Sequence, residues 1–427
     1  MSGFVFRFAQ AFLFLLPFQF ALAPVSGIDL PFSRVLAPLL FLAWLSRGLA
    51  TRDLRVPIGT VGGGLLIFLF FSLLSGTYAE KPDWSIRRMT FLLSYLPLFP
   101  VFSGLLTEYG RTGLRSLLSP FVAGASLAAL VGLCQFAIQF AFGTPPVFHL
   151  WVETLLPFFL GPGFGEAVAE FPSLLVDLGG RTTLRASAFF PDPHILAFYM
   201  GFAFPIAAVL TRETRTPFRR TLFGISSILI VLADLLSLSR GGYIGLATGL
   251  ITAFLILSER KDTMRRMLVI AISASILFLS FATDTPVRNR FLSSFSTEEG
   301  SNSGRLTLFR EAAERISDHP FGYGLGNYPL AVKPTADYRE PIYAHDLFLD
   351  IATESGIFAA AAFLSALLSA FFLLYRSRRD PISRAGSVSI AIFFGHALFE
   401  TPLYSVHILP VLLLFLALPA ASDRIKT

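Results

Sequence analysis

The sequence predicts an all-α, polytopic membrane protein of about twelve transmembrane helices, with a large extramembrane loop that contains short helices. Of its 427 residues, 54% are hydrophobic and only 15% are charged. Apolar runs of about 20 residues recur along the chain, and each could cross a bilayer. A soluble chain of this length would carry more charge and divide into several domains. We therefore interpret residues 1–427 as a single integral membrane domain.

The predicted spans follow these apolar runs in chain order. The first run continues directly into a second and has no convincing cleavage site, which favours an uncleaved helix over a signal peptide. The stretch 218–258 is divided into two spans because SLSRGG interrupts it. The spans are expected near 4–22, 31–46, 58–77, 87–105, 117–141, 188–210, 218–238, 241–258, 265–283, 346–375, 386–401 and 405–421.

Lys and Arg concentrate in alternate short loops, as the positive-inside rule requires. With the N-terminus inside, the outside loops at 23–30, 78–86 and 402–404 are nearly free of basic residues. An even number of spans then places both termini inside. This distribution also accounts for the net charge of +6, so nucleic-acid binding is not expected. Two long segments fall outside: a first one at 142–187 and a larger one at 284–345.

The larger outer segment carries most of the polar residues that could support chemistry. Its stretch GRLTLFREAAERISDH predicts an amphipathic helix, with Leu306, Phe309, Ala313 and Ile316 on one face. Pro320 marks the expected end of that helix. Polar and ionisable residues at a membrane edge are costly, so we interpret this segment as the catalytic loop.

Two arginines stand at predicted helix starts on this side of the membrane. Arg240 lies in SLSRGGYIGL and Arg305 lies in the outer loop. A helix N-terminus carries partial positive charge, so a cation there is unfavourable unless an anion joins it. The pair therefore indicates a clamp for a phosphorylated ligand. The alternative is that each arginine pairs with an acid or extends to lipid headgroups.

His345 lies at the outer end of the predicted span 346–375, in YAHDLFLDIATESG. Histidine is the usual general base near neutral pH, and a carboxylate could fix its tautomer. Asp346, Asp350 and Glu354 follow at helical spacing and form one acidic stripe. A hydrogen-bonded interfacial histidine is the plain alternative. A metal site is the other, but no ligand spacing singles one out, so none is predicted.

Three further motifs are less specific. In HPFGYGLGNY, which begins at His319, alternate glycines such as Gly324 let the backbone approach a ligand or simply form a turn. His396 and Glu400 stand four residues apart and are expected to form a packed pair. RASAFFPDPHILAFY, which begins at Arg185 and includes His194, is expected near the outer face.

Together these motifs resemble the O-antigen ligase/polymerase superfamily. The resemblance rests on an Arg in SRGG at a helix start, a loop with GR and HPFGYGLGNY, and AHDLFLDIATESG at the next span. RASAFFPDPHILAFY is similar to the segment that this family has before a span. The resemblance covers roughly 185–402. The family usually has Asn after the histidine, whereas this chain has Asp346.

The resemblance implies transfer of a glycan from undecaprenyl diphosphate at the periplasmic face of the bacterial inner membrane. The acceptor would be a sugar hydroxyl on lipid A–core for a ligase, or on another lipid-linked glycan for an O-antigen or exopolysaccharide polymerase. The family assigns the positions of Arg240 and Arg305 to the diphosphate and that of His345 to the base. No metal, nucleotide or other cofactor is expected. We expect the substrate to be contacted by Arg185, His319, Gly324 and Asp346.

A transporter or flippase is the main alternative from another functional class. It would place ionisable residues near the middle of the membrane, on broken helices in paired halves of the chain. In this sequence the polar motifs collect at one face and no internal repeat is visible. The sequence therefore favours an enzyme.

Overall fold

The computed structural model describes residues 2–25, 28–54, 56–170, 173–178, 180–256, 300–338, 340 and 342–421. The span expected near 265–283 and the first part of the catalytic loop lie outside these residues. The described chain is mostly helical, as the apolar periodicity predicts.

The first half of the chain is built of long helices, followed by short ones in the first outer segment. A π-helical turn, Leu150–Leu155, joins two of the short helices. The helices are α1 (Ser2–Leu15), α2 (Ser33–Thr51), α3 (Gly59–Ser75), α4 (Pro82–Tyr95), α5 (Leu98–Phe142), α6 (Thr144–His149), α7 (Leu156–Leu160) and α8 (Pro162–Glu170).

The second half contributes the helices that surround the candidate site. They are α9 (Pro193–Glu213), α10 (Pro217–Leu236), α11 (Arg240–Ile256), α12 (Gly300–Asp318), α13 (Tyr328–Val332), α14 (Leu347–Ser355), α15 (Ile357–Arg376), α16 (Pro381–Ala397) and α17 (Ile408–Ala417). Two short antiparallel hairpins complete the described chain: β1 (Ala21–Val25) with β2 (Ile28–Pro31), and β3 (Leu175–Asp177) with β4 (Thr182–Leu184).

Five helical segments of the described chain are long and apolar enough to cross a membrane, so the predicted count of twelve spans is not confirmed. They are Ser33–Thr51, Gly59–Tyr78, Pro82–Phe142, Pro193–Glu213 and Ile357–Arg376. Gly3–Leu15, Arg240–Ile256 and Ile408–Ala421 are apolar but shorter. The separate helices predicted from 218–258 are observed as α10 and α11.

The span predicted at 346–375 is wrong as a single helix because glycine interrupts it. Gly356 has φ +89° and separates α14 from α15. A Cβ at this position would lie 2.8 Å from backbone atoms of Phe321, so only glycine allows the outer loop to approach this break. His345 consequently precedes a short helix of nine residues instead of a full span.

A second predicted span, 87–105, also crosses a break. Residues 96 and 97 separate the amphipathic helix α4 from α5. Within α5, Gly110 has φ +58° and divides the helix into two arms. The break follows from the residue type, since the left-handed conformation is readily adopted by glycine.

The last helix, α17, lies at the centre of the fold. All ten of its residues are buried, and it packs against α5 and α9. A helix that is apolar on every side is typical of a protein core or a membrane span, and this one is enclosed by other parts of the chain. Leu412, Leu413 and Phe415 belong to the main core, together with large side chains such as Phe121 and Phe202.

Small residues bring α11 and α16 into close contact. Along α11, Gly241, Gly245 and Gly249 repeat every four residues and face α16; Cβ atoms at these positions would lie 2.3–2.8 Å from atoms of His396 and Ile392. Close helix packing through small residues is typical of membrane bundles. The glycines of SRGGYIGLATG therefore fix the contact between α11 and α16.

Three ion pairs join helices at the end of the bundle where α5 is kinked. Glu108 of α5 pairs with Arg47 of α2. Arg111 pairs with Asp380, the N-cap of α16, and Arg115 pairs with Glu213, the last residue of α9. The kinked part of α5 is thus tied to three other helices.

The close contact between α3 and α15 can be tested with two neighbouring glycines of α3, of which only one faces α15. A Cβ at Gly64 would lie 2.9 Å from the carbonyl oxygen of Ala362 and from the Cβ of Ala366, whereas one at Gly63 would meet nothing within 4 Å. Gly64→Ala should therefore destabilise the protein by about 1–3 kcal/mol through overpacking. Gly63→Ala should be neutral or slightly stabilising, because alanine favours the helix. Thermal unfolding of the two purified variants in detergent checks this, and equal midpoints would contradict the close packing of α3 on α15.

Candidate functional site

Four segments that are distant in sequence meet at one end of the helix bundle. They are the first turn of α9, the turn before α11, the loop before α14 and the loop after α16. Each contributes one polar side chain to what we call the His–Glu cluster, which consists of His194, Ser239, His345 and Glu400.

His345 contacts Glu400 across a sequence separation of 55 residues. Nδ1 of His345 lies 3.3 Å from Oε2 of Glu400. The histidine side chain is 33% exposed and the glutamate side chain is 15% exposed. The histidine thus has a carboxylate partner on one side and stays open to solvent, as a base that receives a proton from a bound molecule requires.

His194 contacts the other oxygen of the same carboxylate. Its Nε2 lies 3.6 Å from Oε1 of Glu400, and its Nδ1 lies 2.8 Å from Oγ of Ser239. Ser239 is also 3.3 Å from Nε2 of His396 and accepts a hydrogen bond from the backbone N–H of Gly242. Because Ser239 caps the start of α11, the cluster reaches the residue before Arg240.

Arg240 is the first residue of α11 and is buried, with 4% of its surface exposed. Gly241 and Gly242 follow it, and added Cβ atoms there would meet His396 at 2.4 Å and Ala197 at 3.0 Å. The two glycines therefore let the start of α11 sit directly against α16 and α9. A buried guanidinium at a helix N-terminus is well placed to attract an anion.

Asp350 connects the two halves of the His345–Glu400 contact. It accepts a hydrogen bond of 2.7 Å from the backbone N–H of Ala344, the residue before His345. It also accepts one from the hydroxyl of Thr401, the residue after Glu400. Burial raises the pKa of Asp350 to about 7, against the lowering effect of these hydrogen bonds. One carboxyl group thus fixes both backbone segments that carry the contact.

Asp346 is the N-cap of α14. Oδ1 of Asp346 accepts hydrogen bonds from the backbone N–H groups of Phe348 and Leu349, both at 2.9 Å. Asn can make the same cap, because both residue types are favoured at this position. The substitution of Asp for the Asn usual in the superfamily therefore leaves this local structure intact. The predicted substrate contact of Asp346 stays a prediction.

Two residues next to the site have strained backbones. His345 has φ +56° and Leu238 has φ +52°, although neither is glycine. Such conformations cost about 1–3 kcal/mol and persist where the surroundings fix them. Both positions lie beside groups with a predicted catalytic role, since Leu238 precedes Ser239 and Arg240.

Arg185 holds the strained turn before α11. Its guanidinium donates hydrogen bonds to the carbonyl oxygens of Ser237, Leu238 and Ser173 at 2.8, 3.3 and 2.9 Å, and the residue is only 4% exposed. These contacts give Arg185 a structural role. Its predicted contact with substrate stays a prediction.

The segment that follows Arg185 is held by α5. The side chain of Gln135 accepts hydrogen bonds from the backbone N–H groups of Ser187 and Ala188, and Gln139 bonds both backbone groups of Leu184. Irregular backbone is tolerated at membrane depth when polar side chains satisfy it. The segment ends at Asp192, which caps α9. Burial raises the pKa of Asp192 to about 6, and the nearby Glu400 raises it further.

The glycines of HPFGYGLGNY approach other parts of the chain. Gly322 (φ +85°) and Gly324 (φ +103°) lie against the end of α14 and against Ala79; added Cβ atoms would meet them at 2.6 and 2.5 Å. The backbone N–H groups of Tyr323 and Gly324 donate to the carbonyls of Thr353 and Glu354. The turn interpretation of this motif is therefore supported, and binding of a ligand by Gly324 stays a prediction.

The structure does not bring every predicted residue to the His–Glu cluster. His319 is exposed, and its ring lies 4.3 Å from that of Tyr323.

The helix expected to start near Arg305 begins earlier, at Gly300, so Arg305 lies in the second turn of that helix. The side chain of Arg305 lies outside the described residues. The helix packs through Ala312, near Ala344, and Leu306 and Ala313 are exposed, which corrects the predicted apolar face.

The contact of Glu400 with His345 is what the sequence did not predict. A packed pair with His396 was expected from the spacing of four residues, but α16 ends at Ala397, so the helical spacing does not extend to Glu400. His396 stacks on Phe198, with ring centroids 3.6 Å apart.

Within the described residues, no group of three or more His, Cys, Asp or Glu side chains is arranged to hold a metal ion.

Replacing Arg185 by alanine tests whether this side chain holds the turn before α11 or contacts the substrate. Arg185→Ala should leave the buried carbonyls of Ser237 and Leu238 without this donor and lower stability by about 2 kcal/mol or more. Arg181→Ala is the matched control, because Arg181 is exposed and lies over the ring of Phe140. Thermal unfolding in detergent measures both. An unchanged midpoint for Arg185→Ala, combined with a higher KM for the glycan donor, would show that Arg185 contacts substrate instead.

Comparison with known proteins identifies the region that contains Arg240 and His345. Residues 225–364 match the family model described as O-antigen ligase. This match includes the turn before α11, the outer loop and α14. Glu400 and His194 lie outside it.

Two relatives were found by sequence comparison. The chain is 29% identical over 220 residues to the O-antigen polymerase of Salmonella muenchen, covering 49% of this chain and 52% of that protein. It is 24% identical over 202 residues to the ComP-specific O-oligosaccharyltransferase of Acinetobacter baylyi, covering 44% of this chain and 36% of that protein. The chain thus spans about half of the first relative's length and about a third of the second's. Together the family model and these relatives confirm the resemblance to the O-antigen ligase/polymerase superfamily that was drawn from the motifs.

Proposed function

We propose that the protein transfers a glycan from undecaprenyl diphosphate to a sugar hydroxyl on lipid A–core, at the periplasmic face of the bacterial inner membrane. The observation that carries this proposal is the convergence of His345, its carboxylate partner and the helix start at Arg240 at one end of the bundle. A base and a buried cation at the same end of the bundle suit a reaction that deprotonates an acceptor and releases an anionic leaving group.

In the proposed step, the acceptor oxygen attacks the anomeric carbon of the lipid-linked sugar and forms the new glycosidic bond. The bond from that carbon to the diphosphate oxygen breaks, and its electron pair leaves with undecaprenyl diphosphate. The hydroxyl proton passes to Nε2 of His345, because Nδ1 faces Glu400. Loss of the proton makes the acceptor oxygen a stronger nucleophile as the new bond forms.

Arg240 and Arg305 are proposed to stabilise the charge that develops on the diphosphate. Support for Arg240 comes from its burial at the start of α11, where the helix dipole adds to the guanidinium charge. Fixed cations of this kind stabilise a leaving diphosphate without a metal or nucleotide. We therefore propose metal-independent transfer, and activity should persist in a chelator such as EDTA.

Polymerisation is the second candidate. The donor chemistry is the same, and only the acceptor changes to another lipid-linked glycan. The observation that favours it is the match to a protein named O-antigen polymerase. The family description, O-antigen ligase, favours transfer to lipid A–core. Transport is less supported, because the polar cluster lies at one end of the helices instead of in the middle of the bundle.

The assigned roles predict the effects of two alanine variants. Arg240→Ala and His345→Ala should each lower kcat by about a hundredfold or more, the usual contribution of an oxyanion contact or a general base. Their abundance in the membrane should match that of the unmodified protein. His149→Ala is the control, because His149 is exposed on the first outer segment. Unchanged transfer by His345→Ala would remove it as the base.

The acceptor assignment is tested with purified components. We expect transfer from purified lipid-linked glycan to lipid A–core, measured by the electrophoretic shift of the product. A knockout strain should then accumulate free lipid-linked polymer. If the purified protein lengthens the lipid-linked glycan and leaves lipid A–core unchanged, polymerisation replaces ligation as the function.

A further inference from the structure

We propose that Glu400 is a positioning residue, which orients His345 and His194 with its two carboxylate oxygens and so couples the base to the turn that begins α11. This inference rests on the proposed function, because it concerns the same transfer reaction. It assigns a role to a residue outside the segment matched by the family model.

The two carboxylate oxygens of Glu400 face two different histidines. Oε2 lies 3.3 Å from Nδ1 of His345, and Oε1 lies 3.6 Å from Nε2 of His194. All three side chains are mostly shielded, with exposures of 33% for His345, 21% for His194 and 15% for Glu400. A shielded carboxylate is screened less by water and orients its partners more strongly.

The contact with Glu400 fixes the tautomer of His345. A carboxylate only accepts hydrogen bonds, so Nδ1 of His345 carries the hydrogen that faces Oε2. Nε2 then keeps its lone pair and is the atom that can take a proton. When it does, the imidazolium faces a negative charge, which stabilises the charged form.

The contacts of Glu400 continue through His194 and Ser239 to the start of α11. If Nε2 of His194 carries the hydrogen that faces Oε1, its Nδ1 is an acceptor for the hydroxyl of Ser239 at 2.8 Å. The oxygen of Ser239 can then accept from Nε2 of His396 and from the backbone N–H of Gly242. One proton arrangement therefore satisfies the hydrogen bonds of Ser239, and His194 adds a charge contact of 3.6 Å with Glu400.

The position of Glu400 is held from both sides of the contact. Asp350 bonds the residue before His345 and the residue after Glu400, so the distance between the two side chains is fixed by backbone anchors. Among the described residues, other titratable groups near this region include Asp192 of the loop before α9, His396 of α16, Glu354 of α14 and Tyr343, whose ring lies 6.4 Å from that of His345. Arg185 contributes the nearby positive charge.

Glu400→Gln tests the proposal, because it keeps the size of the side chain and removes its charge. We expect kcat to fall about 10- to 100-fold, with the KM for the lipid-linked donor within about threefold, since a group that acts through the base affects the chemical step. The acid limb of the pH–rate profile should move to lower pH by about one unit, because the imidazolium loses a stabilising charge. Glu400→Asp should recover part of the activity.

Matched variants separate positioning from a general loss of structure. Glu153→Gln is the control, because Glu153 forms an exposed contact of 2.8 Å with His149, four residues before it, and should leave both kcat and the pH profile unchanged. In the double variant His345→Ala/Glu400→Gln, the loss should equal that of His345→Ala alone.

Three results would overturn the proposal. One is a normal kcat and pH profile for Glu400→Gln. Another is a defect confined to the KM for the donor, which would make Glu400 a substrate contact. The third is a double variant whose losses multiply. Full activity of His345→Ala would instead overturn the proposed function, so failure of the two can be told apart.

Discussion

Backbone groups at the outer ends of the helices must be hydrogen-bonded, because neither lipid nor packed apolar side chains can satisfy them. Most of the polar residues around the site meet this constraint. Arg185 binds the carbonyls of the turn before α11, and Gln135 binds the N–H groups of the loop before α9. Asp346 caps α14, and the loop that contains Gly324 binds the carbonyls at its other end.

The scaffold holds the proposed base, and the residue two positions before Arg240, in unusual conformations. His345 and Leu238 are both in the left-handed region, and each is surrounded by fixed backbone contacts. Strain of this kind is tolerated when the neighbouring structure determines the conformation, and it often accompanies function. The same anchors that satisfy the backbone therefore also set the direction of the side chains.

The sequence predicted the individual residues better than their partners. Arg240 and His345 could be found because a cation or a histidine at a membrane edge is rare. Glu400 could not be found, because its contact with His345 spans 55 residues and depends on where α16 ends. Hydropathy also predicted a continuous span across Gly356, since a single glycine in an apolar run has little effect on mean hydropathy. Its positive φ is needed only because the outer loop approaches it.

The ion pairs at the kinked part of α5 help to fix the positions of α9 and α16 along their axes. α9 and α16 run in opposite directions; His194 lies in the first turn of α9, and the loop after α16 carries Glu400. Their other ends, at Glu213 and Asp380, are both attached to α5. Helices of this length span roughly 25–30 Å. The distance between a histidine and a carboxylate at one end of the bundle thus depends on charged contacts at the other end, and sliding either helix by a fraction of a turn would put the two groups out of register.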